Sequence, residues 1–208
     1  MNAEGISPSL LPHLAACRCY QPGTGSTEAA ARGSKIDKAI RDTWQARIGN
    51  TLFSESLFLD GLNAVDRAAV DWAVSRMELL AAHKNAPIFT EGTPVQAAPA
   101  LPGMTGGTMD AVQPGAGILL DFKTGAARSY ISQMAAYAAA CMETYSAERW
   151  TACILYVDLC KVEKHRFTRE EALATIEAIL NKPETPTHGK HCRWCGNKKC
   201  PRRTRANK

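Results

Sequence analysis

Apolar residues along the chain follow two different periods. Over 26–48, "STEAAARGSKIDKAIRDTWQARI" spaces its apolar positions at helical intervals among good helix formers, with Gly33 interrupting. A second helix is predicted over 61–83, where Leu62, Val65, Ala69, Trp72, Ala73, Met77 and Leu80 approximate one stripe. The pattern then changes to short runs. "APIFTEG" and "PVQAAPAL" are weak strand candidates, "GGTMDAVQ" is better, and "GAGILLDFKT" is best, with 115–117 supplying the turn. "AARSYISQMAAYAAACMETYSAERW" (126–150) predicts a long Ala-rich helix. "TACILYVDL" and "VEKHRFT" predict a hairpin, and "REEALATIEAILN" a helix capped by Thr168, with Glu171 completing a capping box. Ahead of all this, "SPSLLPHLAACRCYQPGTG" is a short leading segment in which Ser7 or Ser9 caps a first turn, and "KPETPTHGK" is a linker into a Cys-rich end. The order of helix, helix, strands, helix, strands, helix predicts an α/β fold, a mixed central sheet flanked by helices.

A length of 208 residues suits one domain with a small appended module. No run approaches the roughly 18–20 apolar residues that span a membrane, and the first residues lack the basic start and apolar centre of a signal peptide. A soluble, cytoplasmic protein is therefore expected. The net charge of +5 is lopsided: from Thr185 to Lys208 there are eight Lys/Arg and no acid, which leaves 17 basic against 20 acidic residues elsewhere. Such a tail suits a polyanion. Eight cysteines in a cytoplasmic chain argue for metal or redox chemistry in some of them rather than for a disulfide scaffold. Cys141, Cys153 and Cys160 fall in apolar stretches and are expected as small core residues. Cys17 and Cys19 near the start, and Cys192, Cys195 and Cys200 near the end, remain.

Chemistry concentrates in "GTMDAVQPGAGILLDFKTG" (107–125). On a strand, Asp121 and Lys123 share one face while Phe122 turns the other way into the core. A neighbouring strand carrying Asp110 brings its carboxylate beside them. Two carboxylates suit Mg²⁺ or Mn²⁺, hard cations that prefer oxygen. Lys123 would hold or activate water and neutralise charge developing on a phosphate. An ordinary Asp–Lys pair on an edge strand is the plain alternative. On the following helix, Gln133 and Tyr137 are four apart and share a face.

Taken together, "GTMD" (107–110), "DFKTG" (121–125) and "QMAAY" (133–137) resemble, in the same order, the GxxD, DxK and QxxxY motifs of the RecB-like branch of the PD-(D/E)XK nucleases. That resemblance implies a restriction-endonuclease-like core. It implies Asp110 and Asp121 as metal ligands with the Phe122 carbonyl, Lys123 acting on water or phosphate, and Gln133 and Tyr137 orienting Lys123 or touching the DNA backbone. The branch carries a Gly-x-x-x-His ligand motif in a preceding helix. "GSKID" (33–37) stands there, with Asp37 in place of His and Glu28 as the fallback ligand. CRISPR-adaptation and AddB-type nucleases of the branch staple their chain ends with an iron–sulfur cluster, using one leading and three trailing cysteines. "CRWCGNKKC" is similar, which implies Cys192, Cys195 and Cys200 with Cys17 or Cys19 around a [4Fe–4S] cluster, Zn²⁺ being the chemical rival. His188 and His191 add weight to zinc. Arg202, Arg203 and Arg205 would track phosphates. Trp194 would stack on an unpaired base or pack over the cluster.

The implied organisation is an N-terminal segment (1–25) supplying one cluster cysteine, a nuclease core (26–184) and a Cys-rich basic segment (185–208). The implied reaction is metal-dependent hydrolysis of DNA phosphodiesters, exonucleolytic on single strands or DNA ends, in recombination, repair or phage DNA processing. No Walker signature occurs, so any helicase motor would be a partner's. The rival expectations are a non-catalytic nucleic-acid-binding module with a structural Fe–S or zinc cluster, and a zinc-stapled protein adaptor.

Overall fold

A computed structural model describes residues 5–24, 27–49 and 59–202. Helix α1 (Leu11–Ala16) precedes two long helices, α2 (Glu28–Ile48) and α3 (Ala64–Lys84). The Thr27 side chain caps α2 by accepting the Ala30 N–H, and Asn63 caps α3 by accepting the Asp66 N–H. A two-stranded ribbon, β1 (Gln96–Ala97) and β2 (Gly107–Thr108), leads into the main sheet of β3 (Ala111–Gln113), β4 (Ile118–Lys123), β5 (Arg149–Tyr156) and β6 (Lys161–Thr168). Helix α4 (Ile131–Thr144) crosses from β4 to β5, and α5 (Arg169–Leu180) follows β6.

The main sheet has order β3-β4-β5-β6. Its β3–β4 and β5–β6 pairs are antiparallel and its β4–β5 pair is parallel, which is why a helix must connect the latter two. The α/β architecture with a mixed sheet flanked by helices is thus as expected. Alternation along the strands splits the core in two. Leu119, Ala152, Ile154 and Tyr156 pack with α1, α4 and α5, while Ile118, Leu120, Phe122, Cys153 and Leu155 pack with α2 and α3. Phe122 therefore points to the α2/α3 layer, as the alternation predicts. The capping box on α5 forms, with Thr168 and Glu171 each bonding the other's backbone N–H. No helix among the described residues is long and apolar enough to cross a membrane.

Four local expectations are corrected. The helix expected over 126–150 spans only Ile131–Thr144, because Trp150 is needed as a fully buried strand residue stacked on Tyr145 at 5.3 Å, and the chain turns at Ser146 with φ 49° to reach β5. The α3 stripe is rotated: Val65 is 69% exposed, and Val70 and Val74 are buried in its stead. Cys160 is no core residue but an exposed one, in left-handed conformation at the turn before β6. "GGTMDAVQ" is not one strand but two, β2 and β3, broken at Asp110.

Candidate active site

The break at Asp110 builds the site. Leaving the strand there frees its carboxylate from the pleat, and Oδ2 accepts the Phe122 N–H at 2.6 Å. On β4, Asp121 is 2% exposed and Lys123 lies beside it, its Nζ 2.7 Å from Asp121 Oδ2. Gln133 of α4 reaches the same carboxylate from the other side, donating from Nε2 to Oδ1 at 3.3 Å. Tyr137, one turn further on, donates its hydroxyl to the Thr108 carbonyl at 3.0 Å. A Cβ on Gly107 would stand 3.2 Å from that same Tyr137 ring, a tight contact that the ring would have to yield to by a few tenths of an ångström. The three sequence motifs are therefore in mutual contact through named side chains.

Asp37 comes from α2, in the opposite layer, and its field reaches both other carboxylates. Burial and then the Asp110 charge push Asp37 up to about 6, against the pull of Arg41 and Lys123. Burial and the Asp110 charge likewise push Asp121 up to about 7. Asp110 is raised by burial, opposed by Lys123 and the Phe122 N–H. Burial alone would lower Lys123, but Asp121 and Asp110 outweigh it and hold the ammonium charged. Three mutually repelling carboxyls around one lysine are a costly arrangement for a merely structural ion pair. Asp37 Oδ1 is buried and makes no hydrogen bond, and the buried Asp121 Oδ2 is met only by the Lys123 ammonium, at 2.7 Å.

Among the described residues, no three His, Cys, Asp or Glu side chains come together as a ready metal-ligand group. Each carboxylate has a protein partner: Asp37 pairs with Arg41 at 2.6 Å, Asp110 holds the Phe122 N–H, and Asp121 has Gln133 and Lys123. Glu28, the fallback ligand, is exposed in the first turn of α2.

Several contributors carry no motif. Arg32 of α2 binds Asp66 and Asp158, at 2.6 and 2.8 Å, and Asp158 also accepts the Gly125 N–H at 2.6 Å. This network fastens α2 to α3 and to the turn that follows Lys123. Tyr130 places its ring 4.6 Å from Lys123 Nζ. Arg41 was legible as an i+4 partner of Asp37; the 126-residue separation of Arg32 and Asp158 left no sequence signal.

Away from these motifs, residues 16–22 are joined to residues 187–196. Gly196 N–H donates to the Gln21 carbonyl at 2.7 Å, Thr187 Oγ1 to Ala16 at 2.6 Å, and Tyr20 to the Trp194 carbonyl at 3.3 Å. A Cβ on Gly196 would lie 2.4 Å from the Pro22 carbonyl oxygen. Cys17, Cys192, Cys195 and Cys200 are buried at or beside this junction, and Cys19 is half-buried. No disulfide joins the described cysteines. Burial opposes ionisation of Cys17, but hydrogen bonds with Thr187 and Cys19 outweigh it and bring its thiol down, and Cys192 also faces the Thr187 carbonyl, at 3.8 Å. His191 is turned to the Thr187 carbonyl at 3.0 Å. Trp194 is half exposed and Arg202 is exposed, while Arg203 and Arg205 lie outside the described residues.

No protein-family model matches the chain, and no curated protein matches it. Among solved structures it is similar to a phage related exonuclease from Haemophilus somnus 129PT, at 10% identity and a TM-score of 0.39 over 85% of this chain and 90% of that one. It is also similar to SSO0001, at 12% identity and a TM-score of 0.33 over 81% and 85% of the two chains. Likenesses this distant carry no argument about the chain's chemistry.

Proposed function

We propose that this chain is a metal-dependent DNA nuclease of the RecB-like, restriction-endonuclease-like type, acting as an exonuclease on single strands or DNA ends in recombination, repair or phage DNA processing. The observation that carries the reading is the convergence of three carboxylates on a charged Lys123, with Asp37 Oδ1 buried and unbonded and Asp121 Oδ2 met only by that lysine. Hard oxygen donors of this kind fit Mg²⁺ or Mn²⁺. Asp37, Asp110, Asp121 and the Phe122 carbonyl would hold the ion, which when bound supplies Lewis acidity and lowers the pKa of water. Lys123 offsets charge on a phosphate oxygen. Gln133 orients the Asp121 carboxylate, and Tyr137 positions the β2 backbone that leads into Asp110.

The deciding experiment is cleavage of end-labelled linear single-stranded DNA by anaerobically purified protein with Mn²⁺ or Mg²⁺, beside Asp121→Ala and Lys123→Ala. Wild type is expected to cut and both variants to fail, with the product ladder giving polarity. No cleavage of single-stranded, duplex or circular DNA by folded wild type removes the catalytic reading.

One observation favours a second reading, a non-catalytic nucleic-acid-binding module: Asp37 is engaged by Arg41 instead of standing open. That module would bind DNA equally with and without divalent metal.

For the junction we propose that Cys17, Cys192, Cys195 and Cys200 hold a structural [4Fe–4S] cluster, with Zn²⁺ as the alternative and Cys19 as the alternative to Cys17. The reading is supported by the burial of these four thiols and by the hydrogen bonds with Thr187 and Cys19 that bring the Cys17 thiol down. DNA is the proposed partner, joined by any separate helicase or recombination protein that supplies a motor.

A further inference from the structure

The segment between β4 and α4 presents a cation that the proposed chemistry leaves unused. Arg128 is exposed, yet its base is held firmly. Its Nε donates to the Tyr130 hydroxyl at 2.5 Å, its guanidinium lies 5.1 Å from the Tyr130 ring centre, and its backbone carbonyl accepts the Tyr156 hydroxyl at 2.8 Å. Among the described residues no carboxylate stands within ion-pair distance of it. Arginine is suited to phosphodiester oxygens because its planar fork offers several donors at fixed angles.

Tyr130 ties this arginine to the candidate active site. Lys123 Nζ lies 4.6 Å from the centre of the same ring, so one aromatic residue carries two cations. A half-buried cation among carboxylates and a cation open to solvent thus share a single ring. The end of α4 adds to the same field: its N-cap Tyr130 provides no side-chain cap and its first turn contains no acid. The Arg128 charge also reaches the leading segment. His13 stacks on Tyr20 at 4.4 Å with the rings 8° apart, and the Arg128 charge is felt at both: burial lowers His13 and Arg128 and His191 lower it further, while burial raises Tyr20 against Arg128.

We infer that Arg128, held by Tyr130, is a phosphodiester clamp that grips the nucleic-acid strand next to the phosphate at Lys123. The inference rests on the nuclease reading and adds to it a binding residue. Held on two sides, the guanidinium loses little freedom on binding, so its contact contributes affinity and not only steering.

The test is fluorescence anisotropy of a labelled oligothymidylate titrated with the full chain in divalent-free buffer over a salt series, for wild type, Arg128→Ala and Arg128→Lys. Loss of one charge-assisted contact is expected to weaken Arg128→Ala by about tenfold and to reduce the slope of log affinity against log salt by about 0.7. Arg128→Lys is expected to restore the slope while recovering only part of the affinity, a separation that a purely structural role for the side chain would not produce. Wild-type affinity and slope in Arg128→Ala overturn the clamp and leave the nuclease reading standing. A wild type that cuts DNA but whose oligothymidylate affinity is insensitive to salt overturns it as well. Failure of wild type both to bind and to cut removes the nuclease reading and the clamp together.

Discussion

Asp110 is fastened to Phe122: its Oδ2 accepts the Phe122 N–H at 2.6 Å, so the residue that interrupts the β2–β3 run is bonded to the strand that carries Asp121 and Lys123. A structural and a chemical duty can be separated at this one side chain. Asp110→Asn keeps an acceptor for the N–H and is expected to unfold in urea no earlier than wild type, while cleavage falls by at least about a hundredfold. Asp110→Ala abandons the N–H and is expected to lose about 1–3 kcal/mol in addition. An Asn variant that cuts at the wild-type rate would remove Asp110 from the chemistry.

Raised carboxyls act against the folded state as pH rises. In an unfolded chain an aspartate titrates near ~4, whereas Asp37 and Asp121 stand at about 6 and about 7. Between those values the folded protein keeps protons that the unfolded chain has released, so these two groups make stability fall from about pH 4 through about pH 7. In chelator, the melting temperature of wild type should drop across that window relative to Asp121→Asn. Mg²⁺ or Mn²⁺ should raise the wild-type melting temperature more at about pH 8 than at about pH 5, because protons compete with the ion. A pH-independent difference between wild type and Asp121→Asn contradicts the raised Asp121.

At the junction, Cys17→Ser and Cys19→Ser should separate a ligand from a neighbour. Anaerobically purified Cys17→Ser is expected to lose iron or zinc by elemental analysis, and Cys19→Ser to retain it. Wild type devoid of both metals ends the cluster proposal. Gly196→Ala forces a Cβ against the Pro22 carbonyl. It should cost about 1–3 kcal/mol and quicken the reaction of the junction thiols with Ellman's reagent.

The Arg32 network predicts coupling between residues far apart in the chain. Arg32 is about a third exposed and Asp66 nearly buried, so Arg32→Met should destabilise by about 2 kcal/mol, between the values for surface and buried pairs. A double-mutant cycle with Asp158→Asn should give a coupling of about 0.5 kcal/mol or more. Additive losses would show that the two residues act separately.

The sequence made the β3–β4 hairpin, the β5–β6 hairpin and the α5 capping box legible because each is local: turn residues, alternation and a cap lie within a few positions of one another. That Asp121 and Lys123, and likewise Gln133 and Tyr137, share a face was legible for the same reason. What escaped notice was set by packing. Alanine-rich periodicity hid the end of α4, since the burial of Trp150 overrides helix propensity there. Arg128 and Tyr130 were absorbed into that same expected helix. The partnership of Arg32 with Asp158 depends on how two layers close on the sheet, which no short window of residues encodes.

The candidate site draws Asp37 from one layer and Gln133 from the other, with β4 between them. A growing chain carries Asp37 well before Asp110 and Asp121 exist, and even the complete hairpin lacks Gln133 until α4 has swung across. Partly made chains therefore hold these side chains apart, and the site is complete only when the stretch from Asp37 to Tyr137 has been made and packed on both faces of β4.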